Sequence, residues 1–117
     1  MNRTPKLMSN DWEISPREVA RMMQDGSDLL LIDCRTPEEW ETARIQGATL
    51  VPLQELSIRI GELRDHEDRP VVVHCHKGKR SMTVTSVLRE LGFSNVRSMT
   101  GGIHAWSEQV DPNVPTY

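Results

Sequence analysis

An α/β domain with a mostly parallel central sheet, covered by helices on both faces, is what this sequence predicts. Three observations carry the prediction. The runs LLLID (29–33) and VVVH (71–74) are continuously apolar and too short for helices, the pattern of strands buried on both faces. Each is followed closely by a helix start, so strand and helix signals alternate along the chain. Finally, 117 residues without repeat, low-complexity run or linker make one domain's worth of polypeptide. A chain of this size buries roughly two thirds of its unfolded surface without covalent staples.

The elements follow in order. Residues 1–10 are polar and aperiodic and read as a flexible arm, residues 11–111 as the domain, and residues 112–117 as a C-terminal tail whose prolines forbid helix. Residues 11–14 alternate enough for a short edge strand. Ser15, Pro16 and Glu18 supply a cap, a proline at N1 and a glutamate at N3, the grammar of a capping box, with Val19, Met22 and Met23 as apolar face and Gly26 near the end. After the LLLID strand, Thr36-Pro37-Glu38-Glu39 repeats that grammar. A short strand at 49–51 precedes Leu53, Leu56, Ile60 and Leu63 at helical spacing. After VVVH comes a helix over 81–91, with Val84, Val87, Leu88 and Leu91 on one side and Gly92 closing it. A strand at 96–99, the Gly101-Gly102 pair and a helix around 103–110 complete the domain.

Composition narrows the function classes. Fourteen basic against seventeen acidic side chains give a net charge of -3, which excludes a generally basic nucleic-acid binder. No run approaches a membrane span and the first residues lack a signal-peptide core, so the expectation is a cytoplasmic protein with neither membrane nor nucleic-acid partner. Two cysteines, Cys34 and Cys75, are too few for a disulfide scaffold and lack zinc-ligand spacing; no metal and no cofactor are expected.

Chemistry in such folds collects outside the carboxyl ends of the strands, and Cys75 stands there. In VVVHCHKGKRS (71–81), a turn containing Gly78 leads into a helix near Ser81, so backbone N–H groups of the turn and helix start can converge on the sulfur as an anion-binding nest. Gly78 is expected to need a positive φ. His76, Lys77, Lys79 and Arg80 add positive potential that depresses the thiol pKa. Together these describe a cysteine nucleophile that acts on an anion. The competing view of Cys75 is a small buried hydrophobe.

Three segments, LLIDCRTPEEWETARIQGATLVPL, HCHKGKRS and MTGGIHAW, together resemble the rhodanese family of sulfurtransferases over residues 11–111. Asp33-Cys34-Arg35 matches the family's Asp-x-Arg strand end, Cys75 to Arg80 with Ser81 its catalytic loop, and Gly101-Gly102 with Trp106 its ending. The tail VDPNVPTY looks like the ending of rhodanese domains fused behind adenylyltransferases that activate ubiquitin-like sulfur carriers. Two departures stand out. Residues 43–48 lack the histidine and proline of a common family run, and the middle of Asp-x-Arg is Cys34 where valine is usual.

The resemblance implies a three-layer rhodanese-like domain that moves sulfane sulfur from thiosulfate or a persulfide to cyanide or a thiol through a Cys75 persulfide. Arg80 is expected to organise the loop by bridging its carbonyls and a carboxylate. Lys77 and Lys79 are substrate-side charges, against a merely solvated surface; His76 is balanced between substrate contact and idleness. Ser81 is a first-turn or capping hydroxyl that can reach the sulfur. Asp33 ties down loop N–H groups, and Arg35 pairs with Glu38 or Glu39. His74 is packed in its strand, His104 and His66 lie at the surface, and Trp106 is core. Cys34 is expected to be packed; were the two strand ends neighbours, it could resolve the Cys75 persulfide into a disulfide. The alternatives are sulfur relay to a ubiquitin-like carrier protein, with a cysteine desulfurase as donor, a cysteine phosphatase or arsenate reductase, and a binding module. Cys-x4-Arg is one residue short of the phosphatase spacing, and the nucleophile argues against a binding module.

Overall fold

The computed structural model describes residues 12–117, so the arm expected at 1–10 and the strand start at Asp11 lie outside the described residues. Five strands, β1 (Glu13–Ile14), β2 (Leu30–Asp33), β3 (Thr49–Leu50), β4 (Val71–His74) and β5 (Val96–Met99), form one sheet in the order β1-β5-β4-β2-β3. Every pairing is parallel. The helices are α1 (Pro16–Gln24), α2 (Pro37–Thr42), α3 (Leu56–Leu63), α4 (Lys79–Glu90) and α5 (Gly102–Gln109), with 3-10 turns at Leu53–Glu55 and Arg64–His66.

Strand alternation splits the core in two. Ile32, Val71, Val73 and Val96 face α3 and α4, where they meet Leu56, Leu63, Val84 and Leu88. Leu31, Val72 and Met99 face α1 and α5, where they meet Val19, Ile103 and Trp106. This is the three-layer arrangement the apolar runs predict, because a strand buried on both faces needs a helix layer on each side. Burying each such aliphatic side chain stabilises the fold by about 1.5–3 kcal/mol.

Local signals set the helix ends. Thr36 and Glu39 form the reciprocal capping box. At Ser15 only half of the expected box exists: Ser15 Oγ accepts from Glu18 N at 3.1 Å, while the Glu18 carboxylate has turned along the helix to Arg21. Helix α4 starts at Lys79, two residues before the predicted 81, because Gly78 at φ +116° turns the chain directly from strand to helix. Gly92, at φ +98°, closes α4 as predicted. The tail is not helical and folds back: Val114 is buried in the second core layer and its carbonyl accepts from the Ser107 hydroxyl. Among the described residues, no helix is long and apolar enough to cross a membrane.

Candidate functional site

Strands β2 and β4 are neighbours and end together, Asp33 opposite His74. The ladder runs one step further, with Cys34 N donating to His74 O at 3.0 Å. Cys34 and Cys75 therefore stand side by side at the carboxyl edge of the sheet, on the face covered by α3 and α4. Both are 1% exposed and neither is in a disulfide.

Around Cys75 the turn does what its sequence suggests. Gly78 N donates to Cys75 Sγ at 3.2 Å and Ser81 N at 3.3 Å. Ser81 Oγ lies 3.4 Å from the sulfur and 2.7 Å from Ser98 Oγ on β5. When Cys75 is ionised, the Ser81 hydroxyl turns its proton to the sulfur and accepts one from Ser98. The Cys34 thiol stands beside this set, at the end of the neighbouring strand and in the same core cluster. The Cys75 thiol pKa is pulled down to about 4, first by Cys34 and then by the Ser81 side chain, Ser81 N–H and Gly78 N–H, against the opposing effect of burial. Cys34 is pushed the other way, by holding the shared proton, by burial and by the neighbouring negative charge. The direction within the pair therefore favours the charged form at Cys75 and the protonated form at Cys34.

Charge counting alone points to a different cause. Lys77 and Lys79 are exposed. Arg80 spends its fork on Glu39 of α2, with NH1 donating to Oε1 at 2.7 Å and NH2 to Oε2 at 3.0 Å. Of the bridge expected of Arg80, between loop carbonyls and a carboxylate, the structure shows the carboxylate half, and it ties the Cys75 loop to α2. Hydrogen bonds at close range outweigh these paired or solvated charges in stabilising the thiolate.

Arg35 departs from expectation. Its fully buried guanidinium does not pair with the Glu38 or Glu39 carboxylate; Nε and NH2 donate to Asp33 at 2.9 and 2.6 Å. NH2 and NH1 also donate to the carbonyls of Ala43 and Glu39, and NH1 to Tyr117 Oη at 2.7 Å. The reason is desolvation: a charge wholly out of water needs its counter-charge and every donor partnered locally, and Asp33, two residues away, is the carboxylate within reach. Asp33 also accepts from Arg35 N at 3.0 Å, the loop-tying role expected of it. His74 is packed as predicted, with neither ring nitrogen hydrogen-bonded among the described residues, and burial lowers its pKa.

Four residues that the sequence reading did not place at the site hold it together. Tyr117 stacks on His76 with ring centroids 4.1 Å apart, its main-chain oxygen 2.8 Å from His76 Nε2, and its hydroxyl donates to Glu39 at 2.8 Å. His76 is thereby a partner of the tail. Glu39 reads in the sequence as a helix cap and a candidate partner of Arg35, not of Arg80, and Ser98 only as a strand residue. Gly102 sits at φ +61° against the loop, where a Cβ would come 2.5 Å from both Cys75 O and His76 O. This close approach lets Ile103 N and His104 N donate to those two carbonyls at 2.9 and 3.1 Å. The paired glycines were the available signal for it.

The family whose description is "Rhodanese-like domain" matches residues 15–109. The chain belongs to that family. Among curated relatives, this rhodanese-like domain is 36% identical over 104 residues to the probable adenylyltransferase/sulfurtransferase MoeZ of Mycobacterium tuberculosis, covering 89% of the chain but 26% of the relative. It therefore spans about a quarter of that protein's length. It is also 34% identical to a sulfurtransferase of Allochromatium vinosum, covering 87% of the chain and 94% of the relative. Among solved structures, the human single-domain sulfurtransferase TSTD1 superposes on this rhodanese-like domain with TM-score 0.73 at 25% identity, over 83% of this chain and 96% of that one.

Proposed function

We propose that this rhodanese-like domain transfers sulfane sulfur from an anionic donor, thiosulfate or a persulfide, to a thiophilic acceptor, cyanide or a thiol, through a Cys75 persulfide. The observation that carries the reading is the Cys75 sulfur held by Gly78 N, Ser81 N and Ser81 Oγ. Those donors stabilise an anionic sulfur and leave it poised to react at neutral pH.

In the first half-reaction the Cys75 thiolate attacks the outer sulfur of thiosulfate, the sulfur–sulfur bond of the donor breaks, and sulfite leaves with its electron pair. The persulfide that remains is anionic, so the same N–H groups hold resting thiolate and intermediate alike. In the second half-reaction cyanide or a thiolate takes the outer sulfur and returns Cys75 to the thiolate. No histidine base is required, since the nucleophile is already ionised. At 1% exposure Cys75 suits a donor that presents one slim sulfur, in contrast with a tetrahedral phosphoryl group whose three oxygens need separate donors. Cys-x4-Arg spacing points away from phosphatase and arsenate reductase chemistry for the same reason. Arg80 acts as a positioning residue through Glu39; Lys77 and Lys79 attract the donor from the rim. The cytoplasm is the compartment in which two free thiols stay reduced.

A second reading changes only the partners: a desulfurase-type protein persulfide as donor and a ubiquitin-like sulfur carrier as acceptor. It is favoured by the relatives whose names join adenylyltransferase to sulfurtransferase. Intact mass after thiosulfate tests the shared chemistry. The parent gains one sulfur, about 32 Da, that cyanide removes, and Cys75→Ser gains none. Loading of the Ser variant, or a parent whose mass neither rises nor falls and which releases no sulfite, would refute it.

A further inference from the structure

The sulfur-transfer cycle uses Cys75 alone, and it leaves unexplained a second thiol placed against it. Residues in register on adjacent parallel strands have Cα atoms about 4.8 Å apart, inside the range a disulfide spans. Cys34 and Cys75 follow the register pair Asp33–His74, the ladder continues through the Cys34 N–His74 O hydrogen bond at 3.0 Å, and both side chains are buried in one core cluster on the same face of the sheet. Small apolar side chains would fill the same space. A thiol there adds a nucleophile that no outside molecule needs to deliver.

We propose that Cys34 is a resolving thiol: it attacks the Cys75 persulfide, forms an internal Cys34–Cys75 disulfide and releases the carried sulfur as hydrosulfide. This rests on the persulfide reading above and gives the domain a second outlet, sulfide release, beside transfer to an acceptor. Cys34 Sγ bonds to Cys75 Sγ, and the bond between Cys75 Sγ and the outer sulfur breaks. The outer sulfur leaves with that electron pair, and the proton of the Cys34 thiol goes to it. Cys75–S–S⁻ and Cys34–SH thus become Cys34–S–S–Cys75 and HS⁻; the outer sulfur is reduced, the Cys34 sulfur is oxidised, and the Cys75 sulfur stays at the disulfide level it already had in the persulfide. No external oxidant or base enters. A low-molecular-weight thiol or dithiol reductant returns both cysteines to the starting state.

The geometry favours this route when no acceptor is present. The two cysteines leave adjacent, paired strand ends, and hydrosulfide is a better leaving group than an alkyl thiolate because its conjugate acid is stronger. An acceptor at high concentration competes for the outer sulfur, so the outcome depends on acceptor supply.

The experiment is a single turnover. Reduced, desalted protein is mixed with thiosulfate without cyanide or thiol, then followed by intact mass, sulfide assay and non-reducing peptide mapping. The parent is expected to pass through a mass gain of about 32 Da to a loss of about 2 Da, with about one sulfide released per chain and a peptide linking Cys34 to Cys75. Cys34→Ser and Cys34→Ala, at whatever rate they load, should hold the gained sulfur and release sulfide per loaded chain at least about tenfold more slowly, and cyanide added afterwards should strip that sulfur from them. Two variants guard against misfolding of either one, and the gain of about 32 Da in a variant itself reports that its loop still takes up sulfur. A parent that keeps the gained sulfur without the cross-link overturns the resolving role and leaves the sulfurtransferase reading standing. Equal sulfide release from the Cys34 variants does the same. No mass change in the parent overturns both.

Discussion

Replacing either end of the Arg80–Glu39 fork should separate the structural and kinetic roles of the ion pair that joins the Cys75 loop directly to α2. Its two hydrogen bonds measure 2.7 and 3.0 Å, with side chains 34% and 20% exposed. Unit charges about 3 Å apart attract by roughly 5 kcal/mol at an effective dielectric of 20, but partial exposure of Arg80 returns much of this to solvent. A bidentate, half-buried pair should retain a coupling of about 1–1.5 kcal/mol. The assay is a double-mutant cycle of Arg80→Met and Glu39→Gln by urea denaturation at 25 °C. With a slope near 1 kcal/mol per M, the coupling corresponds to a shift of about 1–1.5 M in the midpoint. Thiosulfate:cyanide kinetics on the same proteins should show kcat reduced about tenfold in Arg80→Met at every salt concentration, because the defect is misplacement of the Gly78 and Ser81 N–H groups. A coupling below about 0.3 kcal/mol, or wild-type kcat in Arg80→Met, would refute the claim that this pair positions the loop.

Three further outcomes follow from the same geometry. Gly102→Ala should cost about 3 kcal/mol or more, since its Cβ would meet two loop carbonyls at 2.5 Å, whereas Gly26→Ala, at φ +74° in open space, should cost only about 1 kcal/mol; thermal melts compare them. Because the Cys75 pKa is lowered to about 4, its thiolate absorbance and alkylation rate should persist from neutral pH down to about 5 and fall only below that. The sign for stability is the same: a thiol whose folded pKa is depressed stabilises the fold above its unfolded pKa, and that stabilisation is lost as pH falls through the folded value. A reactivity that already fades below pH 8 would contradict the nest. Lys77→Ala and Lys79→Ala, at exposed positions, should lower kcat/KM for thiosulfate by no more than about fivefold, with the effect vanishing at high salt; a salt-independent loss would mean direct contact with the donor.

Much of this protein is written in short stretches of sequence. The buried runs Leu30–Asp33 and Val71–His74, the Thr36–Glu39 box, the positive φ at Gly78 and the placement of Cys75 before a helix start each depend on physics that acts over a few residues. Apolar continuity, capping and glycine's missing Cβ operate wherever they occur, so they are legible without knowing the neighbours. The catalytic loop belongs to this local class, and its nest forms from Gly78 and Ser81, three and six residues from the cysteine.

What the tertiary structure decided is which distant residues meet. Strand order puts β4 beside β2, and that choice alone sets Cys34 against Cys75, turning a thiol that reads as packing into the neighbour of the proposed nucleophile. The same holds for Arg80 with Glu39, Ser81 with Ser98, Gly102 against the loop carbonyls, and Tyr117 over His76. Arg35 shows the physical reason most clearly. Its sequence neighbours include three carboxylates, Asp33, Glu38 and Glu39, and a local reading cannot choose among them. Complete burial chose Asp33, because a guanidinium removed from water is stable only where its charge and its donors are satisfied together, and where that happens is settled by how the whole chain packs.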